Sequence, residues 1–174
     1  LTKLFSICQK PERRILGLMS GTSLDGLDIA LCTIKGFGKE TQVILERFKT
    51  SAYSTVFKEL ILEVFAKKQV DLERLSLLNG AIAQKHAELV LNALAEWNIQ
   101  PSEIDVIASH GQTVYHAPAH LHQNPNFGNA TLQLGDGDQL VVKTGILTLS
   151  DFRQKHIAFG GEGAPLVPYG DYLL

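Results

Sequence analysis

Residues 15–28 read ILGLMSGTSLDGLD, and they hold the densest set of ligand-binding groups in the chain. An apolar run over 15–19 breaks into Ser20-Gly21-Thr22-Ser23-Leu24-Asp25-Gly26, and a second apolar segment starts at Leu27. Apolar run, short polar turn and apolar run describe a β-hairpin. Gly21 and Gly26 permit positive φ and a close approach of backbone to a ligand. Thr22 and Ser23 add hydroxyls beside backbone N–H groups, and a concave cluster of such donors suits a phosphate. Asp25 can hold a hydrated magnesium ion, which favours carboxylate, water and phosphate oxygens together. The same residue types also make ordinary turns. No Gly-Lys-Ser/Thr follows, so this is not a Walker loop. The continuation into a strand also excludes a dinucleotide fingerprint.

Two further polar clusters follow short apolar runs. Ser109-His110-Gly111-Gln112-Thr113 comes after residues 104–108, and Ser150-Asp151-Phe152-Arg153 comes after residues 146–149. Polar exits beyond the carboxyl ends of strands are where open α/β sheets place their sites. A glycine-rich segment over residues 159–165 is the kind that brings backbone close to a ligand or another segment. His116, His120 and His122 surround a proline-bearing loop with no acid next to them in sequence, so a solvated loop outweighs a metal centre. His86 falls on an apolar helical stripe and reads as a satisfied core histidine.

The elements that must position these groups follow from periodicity. Strands are expected over 15–19, 27–34 and 42–50, as an antiparallel meander. A helix capped by Ser54 or Thr55 runs to about residue 67, and Asp71 caps a longer one with a continuous apolar stripe. The strand over 104–108 is parallel to the first because a helical crossover precedes it. Residues 131–134 pair back on 113–115. Asp136 and Gln139 form a capping box for a helix over 139–144 that closes at Gly145, and 146–149 is the last strand. Residues 1–14 read as a leader to the first strand, without the features of a signal peptide. The sum is one α/β domain with a mixed sheet.

With 174 residues, 45% hydrophobic and net charge −2, the chain can bury a core, and it lacks the basic surplus of a nucleic-acid binder. No apolar run approaches a membrane span. Cys8 and Cys32 lack metal-ligand spacing, and so few cysteines fit a reducing, cytoplasmic setting. The apolar ending Tyr172-Leu173-Leu174 reads as an incomplete domain.

MSGTSLDGLD at 19–28, ASHGQT at 108–113 and SDFR…GGEGAPLVP at 150–168 together resemble the anhydro-N-acetylmuramic acid kinase family, within the actin and hexokinase ATPase superfamily. The resemblance implies an actin-like (ribonuclease H-like) ATPase domain of β-β-β-α-β-α order, with residues 15–174 as the first of two lobes. It implies ATP and Mg2+ as cofactors and an amino sugar as substrate. The family adds water across the 1,6-anhydro bridge and phosphorylates the primary hydroxyl, giving N-acetylmuramic acid 6-phosphate in cell-wall recycling. No nucleic acid or membrane partner is implied, and a homodimer is allowed.

The family's nucleotide loop maps onto Gly21, Thr22, Ser23, Leu24, Asp25, Gly26, Leu27 and Asp28. Asp25 would meet magnesium, and Leu24 and Leu27 would serve by backbone or packing. Asp28 would serve either the nucleotide or the turn as a cap. His110, Gln112, Asp151 and Arg153 are the sugar-side candidates, with Arg153 suited to the lactyl carboxylate. The alternative for these is a structural ion pair between Asp151 and Arg153 or their neighbours. The family's general base lies in an Asp-x-Gly-Pro-Gly-Asn segment that this sequence lacks, so no catalytic residue is assigned up to Leu174. One lobe cannot close a phosphoryl-transfer cleft, so this chain alone is expected to be inactive. The competing reading is a single-lobe module that binds nucleotide or a partner without catalysis. Two departures alter the charge near an anionic sugar. Gln154-Lys155-His156 stands where the family commonly has a basic pair and an acid, and Glu162 stands where it has Gln.

Overall fold

The computed structural model describes residues 2–164, so Pro165 to Pro168 of the third block and the apolar ending at Tyr172–Leu174 lie outside the described residues. Three strands open the sheet: β1 Glu12–Ser20, β2 Gly26–Lys35 and β3 Gln42–Ala52, paired antiparallel in sequence order. Two helices follow, α2 Thr55–Leu62 and α3 Leu72–Glu96, after an initial α1 Thr2–Cys8. The chain then enters β4 Val106–Ala117, parallel to β1 with Leu16 opposite Ile107. A short α4 Ala119–His122 leads to β5 Ala130–Leu134, antiparallel to β4. Then come α5 Gly137–Thr144, β6 Thr148–Leu149 and α6 Phe152–Ala158. Both β5 and β6 pair with β4, β5 antiparallel and β6 parallel.

The core lies between the sheet and α3. Leu16, Leu18, Leu27, Ile29 and Leu31 from β1 and β2 join Leu78, Ile82, Val90 and Leu94 from α3 in one cluster. Their spacing puts alternate strand residues and one helical face against each other, and each such buried side chain contributes roughly 1.5–3 kcal/mol. Ser54 and Asp71 cap α2 and α3 by accepting from the backbone N–H of Phe57 and Arg74.

Several expectations are corrected. The segment over 1–14 is more than a leader: α1 buries Ile7, Lys10 pairs with Asp105 at 2.5 Å, and β1 already begins at Glu12. The Arg14 backbone holds Asp105 twice: its N–H donates to the carboxylate Oδ2 at 3.0 Å, and its carbonyl accepts from the Asp105 N–H at 2.9 Å. Helix α2 stops at Leu62, short of residue 67. The chain turns at Ala66 (φ 56), whose N–H is captured by the Val114 carbonyl at 2.8 Å. Residues 109–113 are not a loop: β4 runs through them to Ala117, because β1 and then β5 pair with it. Gly111 makes this possible. Its φ is +73, and a Cβ there would sit 2.6 Å from the Leu134 carbonyl oxygen. Asp136 caps α5, yet Gln139 does not complete the box. Its side chain lies instead beside Gly80 and Gln84. Residues 152–158 form a helix that carries neither a buried residue nor a side-chain cap, so no periodic signal announced it.

An antiparallel three-strand meander, a helical crossover and a parallel fourth strand in a mixed open sheet are the arrangement of an actin-like ATPase domain.

Candidate functional site

The turn between β1 and β2 has an apolar anchor and a polar rim. Leu24 is 5% exposed and belongs to the core cluster, while Thr22, Ser23 and Asp25 are exposed. Turning Leu24 inward requires φ 57, a left-handed conformation that costs a non-glycine residue on the order of 1 kcal/mol or more. Packing of its side chain offsets that cost. Gly26 is required for a different reason. It lies opposite Ala52 in the β2–β3 register, and a Cβ would overlap the Ser51 carbonyl. Leu27 is fully buried and serves by packing.

Ser23 Oγ donates to Asp25 Oδ1 at 2.6 Å, and this bond, ahead of all other causes, holds the carboxyl below its ordinary range. Asp25 is therefore an exposed, ionised carboxylate at neutral pH. Thr50 Oγ1 donates to Asp28 Oδ1 at 2.6 Å, across the register pair Asp28–Thr50. Asp28 is thus a cross-strand tie between β2 and β3, not a cap on the turn.

Behind the turn runs a buried polar chain. Gln112 Nε2 donates to the carbonyl oxygens of Gly21 and Thr113, both at 3.0 Å. Both amide protons are used, so Oε1 must accept. Ser20 Oγ donates to it at 2.5 Å. A hydroxyl has one proton, so Ser20 accepts from Tyr53 Oη at 2.7 Å. Tyr53 in turn accepts from His86 Nε2 at 2.7 Å, which fixes the imidazole as its Nε2–H tautomer. Burial lowers the His86 pKa to about 4 and, as the largest of its causes, raises that of Tyr53 to about 12. Every member is uncharged at neutral pH. The Tyr53 backbone N–H also holds the Asp25 carbonyl, at 3.1 Å.

The sugar-side candidates divide. Gln112 is fully buried and engaged with the turn, so it is not open to a ligand here. His110 and Arg153 are brought together. Arg153 Nε donates to His110 Nε2 at 2.7 Å, and a second guanidinium N–H reaches the Gly163 carbonyl. His110 must then carry its proton on Nδ1, 2.9 Å from the Gly111 carbonyl. Burial, as the first cause, lowers the pKa of both His110 and Arg153. Asp151 stands apart, exposed, with φ 60 and an approach from Ser150 Oγ at 3.3 Å. Among the described residues it forms no ion pair with Arg153.

The departures from the family pattern have local partners. Gln154 Nε2 donates to the Thr131 carbonyl at 3.1 Å, and Glu162 lies 2.9 Å from His120 Nδ1. Ser20, Tyr53 and His86 escaped the sequence reading as site residues. Ser20 and Tyr53, and Tyr53 and His86, are 33 residues apart, and Ser20 and Gln112 are 92 apart, so no local spacing could link them. A groove of about 670 Å3 opens elsewhere, between Lys67, Lys68, Leu121 and Phe127, and none of its lining residues belongs to the turn. Among the described residues no helix is long and apolar enough to cross a membrane.

The family model for anhydro-N-acetylmuramic acid kinase matches residues 13–174. Three curated relatives, all named anhydro-N-acetylmuramic acid kinase, align along essentially the whole chain. The protein of Pseudoalteromonas atlantica is 56% identical over 99% of this chain, and that of Pseudoalteromonas translucida is 54% identical over 99%. The Caldanaerobacter subterraneus protein is 39% identical over 100% of it. The chain spans 43% of the length of the first two relatives and 44% of the third. A match over all but the first 12 residues settles the family: this chain belongs to the anhydro-N-acetylmuramic acid kinases.

Proposed function

We propose that this chain forms the first of two actin-like lobes, residues 15–174, of a cytoplasmic ATP-dependent kinase of 1,6-anhydro-N-acetylmuramic acid, and that the β1–β2 turn holds the phosphates of Mg2+-ATP. The observation that carries this is the exposed rim of Thr22, Ser23 and ionised Asp25 on a turn fixed from behind by Leu24 and Gln112. The donor set fits the nucleotide. Free backbone N–H groups of the turn and the Thr22 hydroxyl suit phosphate oxygens, and one carboxylate, held by the Ser23 hydroxyl, suits a metal whose other ligands are phosphate and water.

Bound ATP would supply the γ-phosphoryl group that the reaction transfers. Thr22 would orient it through its hydroxyl and Ser23 through its backbone N–H, the Ser23 hydroxyl being engaged with Asp25. Asp25 would hold the hydrated Mg2+, poised by the Ser23 bond that keeps it ionised. Leu24 and Leu27 would keep the turn seated on the core, and Asp28 would hold β2 to β3. The overall reaction adds water across the anhydro bridge and gives N-acetylmuramic acid 6-phosphate and ADP. Its general base would come from outside this sequence. On the sugar side, Arg153, aligned by neutral His110, suits the lactyl carboxylate, and Asp151 suits a hydroxyl.

Asp25→Asn in the full-length protein tests the reading. Turnover and its dependence on Mg2+ should collapse while the Michaelis constant for the sugar stays close to wild type. Unchanged turnover and Mg2+ dependence would remove Asp25 from the metal site.

A further inference from the structure

Four uncharged side chains from four separate elements make one unbroken hydrogen-bond chain that ends on the turn. His86 comes from α3, Tyr53 from the segment after β3, Ser20 from the end of β1 and Gln112 from the middle of β4. All four are buried, at 1%, 4%, 1% and 0% exposure. Their donor order follows from the two carbonyls at the end of the chain, and Ser20 Oγ has one further, longer acceptor on the same turn, the Gly26 carbonyl at 3.3 Å. Leaving a buried polar group unpaired costs about 1–3 kcal/mol, so the chain resists local rearrangement.

What it grips matters. The peptide unit is planar and trans, so the Gly21 carbonyl and the Thr22 N–H point in opposite directions. Gln112 holds that carbonyl inward. The Thr22 N–H is thereby turned toward the exposed rim. Tyr53 reaches the far end of the same turn, since its backbone N–H holds the Asp25 carbonyl at 3.1 Å. One residue therefore secures both ends, the hydroxyl through Ser20 and Gln112 and the backbone directly.

We propose that the buried chain His86–Tyr53–Ser20–Gln112 is the positioning device of the phosphate turn, presetting the direction of its N–H groups from helix α3. The proposal rests on the phosphate-binding reading of that turn. Its members touch no substrate, and they act by keeping the turn in its binding geometry before nucleotide arrives. Preorganisation of this kind lowers the ordering cost of binding.

Tyr53→Phe and Gln112→Met, made in the full-length protein, break the chain with little change of volume. Backbone 15N relaxation of residues 21–25 without nucleotide is the first readout, and titration with Mg2+-ATP is the second. The order parameters should fall from the rigid range near 0.85 toward 0.6 in both variants. Affinity for Mg2+-ATP should fall about tenfold, the equivalent of one lost hydrogen bond, with the sugar's Michaelis constant unchanged. His86→Gln keeps an N–H for Tyr53 and should retain wild-type values, whereas His86→Leu should behave as Tyr53→Phe does. Wild-type order parameters and affinity in Tyr53→Phe and Gln112→Met would overturn the proposal. If the variants loosen the turn while even the wild-type protein binds no nucleotide, the positioning role stands and the phosphate reading falls.

Discussion

The β1–β2 turn and the β4–α6 junction carry similar residue types, yet they are built in opposite ways. At the turn, polar groups that face solvent are separated from those that give support. Thr22, Ser23 and Asp25 lie outside, and the Ser20–Gln112 chain lies inside. At the junction, His110 and Arg153 are largely occupied with each other and with the Gly163 carbonyl, and Asp151 projects from a helix start that has no side-chain cap. The first region is a fixed surface that presents open groups. The second is a linked pair that joins β4 to α6, so a carboxylate bound at Arg153 would share it with His110. Phosphate recognition needs the first design, because charge stabilisation depends on dipoles already in place. Recognition of a sugar's carboxylate is compatible with the second.

This difference predicts unequal responses. The largest belongs to Asp25→Asn. On the proposed metal role of Asp25, its loss should lower turnover of the full-length protein on the order of a thousandfold, while the sugar's Michaelis constant moves little. Steady-state kinetics with both substrates varied checks this. Next is acid stability. The folded His86 pKa of about 4 lies below the ordinary value of 6.5. The unfolded chain therefore binds a proton that the folded one refuses, and stability falls as pH drops from 6.5 toward 4. The contribution is roughly 3 kcal/mol at the acid end of that window. Denaturant unfolding of wild type and His86→Gln at pH 7 and pH 4.5 should show a steeper loss in the wild type, and parallel losses would refute the neutral buried imidazole.

Gly26→Ala comes third. The added methyl meets the Ser51 carbonyl, so unfolding free energy should drop by about 2 kcal/mol. An unchanged thermal midpoint would mean that β2 and β3 separate there without cost. Arg153→Ala should be the mildest. The sugar's Michaelis constant is expected to rise about tenfold with nucleotide affinity preserved. An unchanged sugar constant would withdraw Arg153 from the sugar side and leave it as a clasp on Gly163.

Much of the fold was legible because its signals are local. The Ser54 and Asp71 caps, the stripe of α3 and the alternation of β2 lie within a few residues of what they specify. The parallel pairing of β4 with β1 followed from the crossover rule. The extension of β4 through Gln112 was not legible. A run such as Ser-His-Gly-Gln-Thr becomes strand only when partners on both sides complete its hydrogen bonds, and those partners lie far off in sequence. Helix α6 was missed for a related reason, since FRQKHIA buries nothing and so shows no amphipathic period. In the candidate site, the rim was visible in the motif itself. Its support was not, because Tyr53 and His86 become site residues only through tertiary contacts with Ser20 and with each other.

Amide hydrogen exchange of the full-length protein with and without Mg2+-ATP tests most directly whether the turn is the phosphate site. Protection should appear across residues 21–26, while residues 151–158 should be unaffected until the sugar is added. Nucleotide-induced protection confined to the β4–α6 junction, with the turn exchanging as freely as before, would contradict the assignment.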